Sequence, residues 1–227
     1  MKEGFLAINK PSGITSFAVV RRLRQITGVK KIGHAGTLDP LASGVLVCAI
    51  GRSATKNISY LMDSKKTYQA MIEFGKKSDT YDSDGKIEAV LTKKIPSQKD
   101  ITDQMVKFLG EIKQRPPIFS AKKIKGKKAY HLARQGKKII LPLCVVKIFS
   151  IKVKKYHWPF LSIEVVCGKG TYIRSIANDL GEILDTGGVL ISLIRTKSGF
   201  FSMKQAIDLE KITKDNWEKK LIPNVIK

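Results

Sequence analysis

The chain of 227 residues has little of what marks a secreted or membrane-spanning protein. Its longest apolar runs, Val45 to Ile50 and Ile139 to Val146, fall far short of the roughly 18 residues that a membrane helix needs. The N-terminus carries Glu3 and Pro11 where a secretory signal needs an uninterrupted apolar core. We therefore expect a cytoplasmic protein that does not associate with membranes.

Cysteine, histidine and the common cofactor motifs are also scarce. Cys48, Cys144 and Cys167 have no CxxC spacing, so we expect no disulfide framework and interpret all three as reduced core residues. The three histidines lack metal-ligand spacing, and the chain contains no HExxH, GxSxG, GxGxxG or GxxxxGK[ST] motif. Zinc, elbow-serine, dinucleotide and P-loop chemistry therefore have no support in the sequence.

Acidic residues are missing from a long window of the chain. From Ile112 to Ile163 there is no Asp or Glu, while Lys and Arg contribute fourteen positive charges. The net charge of the whole chain is +23 and its pI is about 10.0. A general enrichment in lysine is the alternative explanation, but it would not remove the acids. The pattern predicts a surface that binds a polyanion such as a nucleic acid.

A second window, from Gly4 to Met62, carries eight basic residues and a single carboxylate, Asp39. A carboxylate on an RNA-binding face repels phosphate, so chemistry on the bound nucleic acid is one reason for its presence. The alternative is structural, because Asp followed by Pro commonly begins a helix. The pattern alone leaves both explanations open.

Hydrophobic periodicity predicts a mixed core of strands and helices, which places the chain in the α+β class. Residues 76–94 and 112–138 are interpreted as insertions into that core. The expected strands are Gly4–Asn9, Gly44–Ile50, Thr67–Phe74, Val145–Val153, Leu161–Cys167 and Val189–Ile194, and alternation predicts that Tyr68, Ala70, Ile72 and Phe74 share the apolar face of the third. The expected helices run from Thr15 or Ser16 to Gly28, over Ser53–Met62, Ser97–Leu109, part of Tyr130–Arg134, from behind Gly168-Lys169-Gly170 to Ile183 or Leu184, and over Met203–Ile212. Phe17, Val20, Leu23 and Ile26 are predicted on the core face of the first helix.

The segment from Gly33 to Leu46, GHAGTLDPLASGVL, resembles the signature of the TruB family of tRNA pseudouridine synthases. These enzymes isomerise the uridine at tRNA position 55, in the T loop. Further segments resemble the same family in the same order: NKPSG at 9–13, KTY at 66–68, DTYD at 79–82, PPIFSA at 116–121, GKKAY at 126–130, GTYIR at 170–174 and LIRT at 193–196.

The resemblance covers nearly the whole chain and carries implications for the fold. It implies one pseudouridine synthase catalytic domain over residues 1–227, with a central mixed, largely antiparallel sheet flanked by helices and RNA-binding insertions. Many family members continue into a small C-terminal RNA-binding domain of the PUA type, which we expect to be absent here.

The resemblance makes Asp39 the catalytic aspartate of an isomerisation that needs no metal or cofactor. The aspartate can act as nucleophile toward the nucleoside or as base at the sugar, and the sequence does not choose between these roles. By the same resemblance Arg174 pairs with Asp39. The alternatives for Arg174 are a phosphate clamp or a solvated charge on a helix.

Four further residues match family positions that bind the substrate. Tyr68 is implied to stack on the flipped uracil, and His34 to enter the T loop where the base leaves. Tyr172 and Leu193 are implied to contact the nucleoside. The residues by themselves also allow Tyr68 to be a core residue and His34 to be a turn residue bonded to backbone.

Lysines are the implied contacts to the tRNA backbone. Lys10 and Lys56 match motif positions, and the insertion that grips the tRNA arm would carry Lys122, Lys123, Lys125, Lys127 and Lys128. At the segment LIRT the chain departs from the family, because Ile194 stands where the family often has a second arginine that would contact a phosphate. The expected partner is the tRNA T-arm, bound by a monomer without an obligatory protein partner. A non-catalytic RNA-binding or RNA-folding protein on the same scaffold remains the alternative.

Overall fold

A computed structural model describes residues 2–120, 122–124, 127–129 and 141–224 of the chain. The described chain forms two compact units, one of Met1–Gln69 with Leu193–Lys227 and one of Ala70–Ser192. The described helices are α1 (Ser16–Thr27), α2 (Arg52–Lys56), α3 (Ile58–Asp63), α4 (Gln98–Met105) and α5 (Ile173–Ile183). The described strands are β1 (Gly4–Lys10), β2 (Ile32–His34), β3 (Ser43–Ile50), β4 (Lys66–Phe74), β5 (Lys76–Ser78), β6 (Ile87–Ala89), β7 (Gly110–Gln114), β8 (Lys123–Ile124), β9 (Lys127–Lys128), β10 (Cys144–His157), β11 (Phe160–Cys167), β12 (Gly188–Ser198), β13 (Phe201–Ser202) and β14 (Ile207–Asp208).

In the first unit the strand order is β14-β1-β3-β12, with β2 added to β3 and β13 to β12. β1 and β3 are antiparallel over their whole length, from the pair Gly4 and Ile50 to the pair Lys10 and Gly44. β12 runs parallel to β3, with Arg195 opposite Gly44. Both β1 and β3 are buried almost throughout, which explains why they are continuous apolar runs rather than alternating ones.

Helix α1 begins and ends where its sequence signals place it. The Thr15 hydroxyl accepts a hydrogen bond from the Ala18 N–H at 3.1 Å, which satisfies one free amide of the first turn. Gly28 adopts φ +71° and donates its N–H to the Arg24 carbonyl at 3.0 Å, as a left-handed C-terminal residue does. Between these ends Val20, Leu23 and Ile26 are buried, as their spacing predicts.

The second unit has the strand order β4-β11-β10-β7, with β4 belonging to it from Ala70 onward and to the first unit before that. β10 is antiparallel to both of its neighbours, β11 and β7. The buried Phe74 ring stacks on Trp158 with 6.1 Å between centroids, and the Tyr156 hydroxyl donates to the Pro96 carbonyl at 2.7 Å. β5 and β6 form a separate antiparallel hairpin within the predicted insertion 76–94.

The α+β class is confirmed, because each unit combines helices with strands that pair mainly antiparallel. The buried face predicted for β4 is confirmed too, since Tyr68, Ala70, Ile72 and Phe74 are all buried. No helix of the described residues is long and apolar enough to cross a membrane. The single domain over 1–227 and the absence of a PUA-type domain stay predictions.

Several local predictions are wrong. The helix predicted over Met203–Ile212 is replaced by the short strand β14 and a 3-10 turn at Leu209–Lys211, and β14 pairs parallel with β1 instead. The helix predicted over Ser53–Met62 is two short helices separated at Asn57. Phe17, predicted on the core face of α1, is 61% exposed, and Cys144 is half-buried. The helix predicted over Tyr130–Arg134 lies outside the described residues.

Candidate active site

Asp39 lies in the loop that joins β2 to β3 in the first unit. The residue before it, Leu38, is buried, and its backbone is held from both sides by one side chain. The Ser16 hydroxyl donates to the Leu38 carbonyl at 3.0 Å and accepts from the Leu38 N–H at 2.8 Å. The first residue of α1 therefore fixes the backbone next to Asp39.

No helix begins at Asp39. Its carbonyl accepts the Ala42 N–H at 3.1 Å, which closes a turn with Pro40 at the second position. The explanation of Asp39 as a helix cap is therefore wrong. Asp39 itself is half-buried, and the backbone of the residues next to it in the loop is held by hydrogen bonds.

Lys10 does not face a phosphate backbone, so its prediction as a tRNA contact is corrected. The residue is fully buried, and its ammonium donates to the carbonyls of Pro11 at 2.8 Å, Ile14 at 2.7 Å and Pro40 at 3.4 Å. Burial lowers the pKa of Lys10 to about 8, an effect that the charge of Asp39 opposes and the charge of Arg195 reinforces. Lys10 thus ties the turn after β1 to the loop of Asp39 from inside the protein.

The depressed pKa of Lys10 predicts a specific pH dependence of stability. Between pH 8 and 10.5 the unfolded chain keeps the Lys10 proton that the folded protein has released, so the free energy of unfolding contributed by Lys10 rises with pH. Urea unfolding of wild type and Lys10→Met over this range should give a difference that grows in favour of wild type above pH 8 and is constant below it. If the difference in the free energy of unfolding between wild type and Lys10→Met stayed constant up to pH 10.5, the depressed pKa of Lys10 would be contradicted.

His34 ends β2, five residues before Asp39. Its Nδ1 atom is buried and has no hydrogen-bond partner among the described residues, so the alternative of a turn histidine satisfied by backbone does not account for this nitrogen. Burial, reinforced by the charge of Arg195, lowers the pKa of His34, which keeps the ring neutral at pH 7. An unpaired buried polar atom is costly, so this nitrogen asks for a partner from outside the described residues.

Tyr68 is buried on β4, and the start of that strand is anchored by a lysine whose anchoring role the sequence does not indicate. The ammonium of Lys66 is buried and donates to the carbonyls of Leu61 at 3.2 Å and Ser64 at 2.6 Å, at the C-terminal end of α3. A cation at the carbonyl end of a helix is electrostatically favourable. Lys66 therefore fixes the strand two residues before Tyr68.

The remaining predicted residues of the first unit differ in exposure. Leu193 is buried on β12, at 8% exposure, while Lys56 is exposed on α2. A buried leucine offers an apolar surface, and an exposed lysine is free to meet a phosphate.

In the second unit Arg174 is buried in the first turn of α5 and forms an ion pair with Asp82. Its Nη1 lies 3.0 Å from Asp82 Oδ2, and both side chains are at least 95% buried. Arg174 also donates to the carbonyls of Thr80 at 3.3 Å and Phe119 at 2.8 Å. The alternative of a solvated helix charge is therefore wrong.

The pair continues into a chain of buried hydroxyls. The Thr80 hydroxyl donates to Asp82 Oδ1 at 2.6 Å, and the Ser78 hydroxyl lies 3.0 Å from the Thr80 hydroxyl. Gly85 packs on this chain so closely that a Cβ would overlap the side-chain oxygens of Ser78, Thr80 and Asp79. The segment DTYD, together with Gly85, is thus the scaffold that orients Arg174. The sequence shows this segment as a motif but does not indicate that role.

Tyr172, the residue before α5, is held by Gln114 of β7. The Gln114 side chain accepts the Tyr172 N–H at 2.8 Å and donates to the Tyr172 carbonyl at 3.0 Å. Gln114 is 1% exposed, so this two-point contact is shielded from water. Nothing in the spacing of the sequence indicates Gln114.

The predicted lysine insertion is described in part. Lys122 is exposed, and Lys123, Lys127 and Lys128 lie on the antiparallel hairpin of β8 and β9. Lys125 lies outside the described residues. A search of the described ranges finds no group of three or more His, Cys, Asp or Glu residues that could hold a metal ion.

The arrangement offers a braced carboxylate, a neutral histidine and a buried tyrosine in one unit, and an oriented arginine and tyrosine in the other. Two family models match the chain. The family model described as TruB family pseudouridylate synthase, N-terminal domain, matches residues 24–173, and the one described as tRNA pseudouridylate synthase B C-terminal domain matches residues 174–227.

Individual relatives are similar over most of the chain. The tRNA pseudouridine synthase B of Chlamydia felis is 49% identical over 208 residues, which are 92% of this chain and 88% of the relative. That of Clostridium kluyveri is 43% identical over 224 residues, 97% of this chain and 76% of the relative. Among solved structures, a chain from the crystal structure of a Cbf5-Nop10-Gar1 complex superposes with a TM-score of 0.75 at 28% identity, over 97% of this chain but only 60% of the other.

Proposed function

Because this chain belongs to the TruB family of pseudouridylate synthases, we propose that it converts the uridine at position 55 of the tRNA T loop to pseudouridine. The chemistry breaks the N-glycosidic bond between N1 of uracil and C1′ of the ribose, turns the base and joins C5 to C1′. The hydrogen on C5 leaves as a proton and N1 takes up a proton from solvent, so the reaction is a redox-neutral isomerisation. Asp39 is the proposed catalytic residue, as nucleophile or as base.

The observation that carries this proposal is the placement of Asp39. It is the single carboxylate of an acid-poor segment, and it lies half-buried on a loop whose neighbouring backbone is held by Ser16 and Lys10. A carboxylate on an anchored loop can be presented to a reacting sugar with little loss of conformational freedom. A carboxylate kept only for structure would not need this support.

The other predicted residues take substrate-binding roles in the proposal. Tyr68 stacks on the flipped uracil, Leu193 adds an apolar contact to the nucleoside, and His34 enters the T loop as a neutral ring. In the second unit, Tyr172 contacts the nucleoside and Arg174 is the cationic group that Asp82 orients. No step of this scheme routes through a metal or a cofactor.

Release of tritium from a tRNA transcript labelled at C5 of uridine tests the proposal. We expect about one equivalent of tritium per tRNA, in the presence of EDTA, because C5 loses its hydrogen once per isomerised uridine. A transcript with cytidine at position 55 is the control and should release none. Tight tRNA binding without tritium release would instead identify a non-catalytic RNA-binding protein.

The lysine insertion should supply much of the electrostatic part of tRNA affinity. Replacing Lys122, Lys127 and Lys128 together with alanine is expected to weaken binding and to reduce the slope of log Kd against log salt by about 2 to 3, since each lost phosphate contact removes about 0.9 on a duplex. Filter binding from 50 to 300 mM salt measures this slope.

A triple alanine variant of Lys214, Lys219 and Lys220 provides a matched control. These three lysines are exposed and lie outside the acid-free window, and replacing them removes the same net charge. Equal effects of the two triple variants would mean that only net charge matters, and would contradict a specific role for the insertion.

A further inference from the structure

Arg195, on β12 of the first unit, is among the largest fully buried side chains of the protein, at 1% exposure. Its Nε donates to the Val45 carbonyl at 2.7 Å, its Nη2 to the Gly36 carbonyl at 3.1 Å and its Nη1 to the Thr37 carbonyl at 3.5 Å. Across the described residues it forms no ion pair with a carboxylate. Burying a cation with only neutral partners is costly. If stability were the only requirement, an apolar side chain at this position would therefore be more favourable.

The three acceptors lie on the two sides of the Asp39 loop. Gly36 and Thr37 are three and two residues before Asp39, and Val45 belongs to β3, which leaves the loop. One planar guanidinium therefore joins the entry of the loop to its exit. At the exit the contact is so close that a Cβ on Gly44, which has φ +97°, would overlap the Arg195 carbonyl oxygen.

Arg195 completes a continuous series of anchored carbonyls. After Gly36 and Thr37, the Leu38 carbonyl accepts from Ser16 at 3.0 Å and the Asp39 carbonyl from Ala42 at 3.1 Å. The Pro40 carbonyl accepts the Gly13 N–H at 2.8 Å. The backbone of the loop is thus held at every residue from Gly36 to Pro40, and Arg195 holds the first two.

We infer that Arg195 is a positioning residue for Asp39, whose guanidinium fork fixes the path of the catalytic loop from its buried side. The inference rests on the role of Asp39 in the proposed function. A guanidinium at 1% exposure with three carbonyl partners does not meet a phosphate, so Arg195 acts on the loop and not on the RNA backbone. The planar fork is the feature required, since arginine presents donors on three nitrogens in one rigid plane, whereas lysine presents a single nitrogen on a flexible stem.

The test compares Arg195→Lys and Arg195→Met with wild type in the tritium assay, at temperatures well below each variant's melting midpoint. We expect kcat to fall by about 10-fold to 100-fold in both variants while KM changes by less than about threefold, since displacing a reacting group by about 1 Å can cost that much in rate. Arg22→Lys and Arg22→Met, on the exposed face of α1, are the matched controls and should leave kcat unchanged.

Hydrogen exchange supplies an arm that does not depend on activity. Amides of residues 35–42 should exchange faster in Arg195→Lys than in wild type, while those of β10 and β11 should be unaffected. If Arg195→Met does not fold, both the kinetic and the hydrogen-exchange measurements are made on Arg195→Lys.

The outcomes separate the inference from the proposed function. A kcat within twofold of wild type together with unchanged exchange of the loop would overturn the positioning role. A rise in KM at constant kcat would overturn it in favour of a contact to RNA. Absence of tritium release by wild type would instead contradict the proposed function, and the exchange of residues 35–42 would then decide by itself whether Arg195 holds the loop.

Discussion

Replacement of Asp39 with asparagine is expected to lower the rate of tritium release by at least about 10³-fold, because the amide is neither a nucleophile nor a base. Asparagine is nearly isosteric with aspartate, and the loop around it is held through backbone atoms that the substitution does not touch. We therefore expect the Kd for tRNA to stay within about threefold of wild type. Single-turnover kinetics with saturating enzyme, combined with filter binding, measure the two effects separately.

Asp215→Asn is the matched control for Asp39→Asn. Asp215 is an exposed carboxylate of the same unit, so its substitution removes the same charge at a surface position. It should leave both rate and affinity unchanged. Turnover by Asp39→Asn at the wild-type rate would remove Asp39 from the chemistry, whatever the function of the protein.

The sequence predicts elements whose signals are local. Helix α1 has an N-terminal capping residue, apolar residues at helical spacing and a C-terminal glycine, all within a short segment. β4 has strict alternation of apolar residues, so both elements were predicted correctly. The segment after β12 has comparable apolar spacing and even a serine before it, and there the strand β14 forms because β1 offers it a parallel edge. Such pairing joins residues about 200 positions apart, as Ile8 and Ile207 show, and no local signal contains it.

The residues of the site likewise divide into those with a local sequence signal and those whose role depends on the fold. Asp39 could be found from the sequence, since a lone carboxylate among cations and a long contiguous motif both point to it. The buried cations around it could not, because lysine and arginine in a basic chain first suggest phosphate contacts. Lys10 and Arg195 instead turn inward to backbone carbonyls. Only the folded arrangement shows that these charges hold the loop.

Breaking the buried pair of Arg174 and Asp82 should have the largest effect on stability. Asp82→Ala takes the Asp82 carboxylate away from the buried Arg174 guanidinium and removes an acceptor of the Thr80 hydroxyl. A buried pair that loses one partner costs about 3 to 5 kcal/mol in the free energy of unfolding. Urea unfolding followed by circular dichroism measures this change. Asp103→Ala is the matched control, because Asp103 pairs with Lys99 at 2.6 Å on the exposed face of α4 and should show little change.

The double variant Asp82→Ala with Arg174→Met separates the structural from the functional part of the pair. Removing both charges leaves neither one buried alone, so we expect it to regain a large part of the stability lost in Asp82→Ala. Tritium release should not recover with it, because the cationic group proposed to act on the substrate is then missing. If activity returned together with stability, Arg174 would be needed only for folding. If stability did not return, the loss in Asp82→Ala would come from the hydroxyls of Thr80 and Ser78 and not from the charge of Arg174.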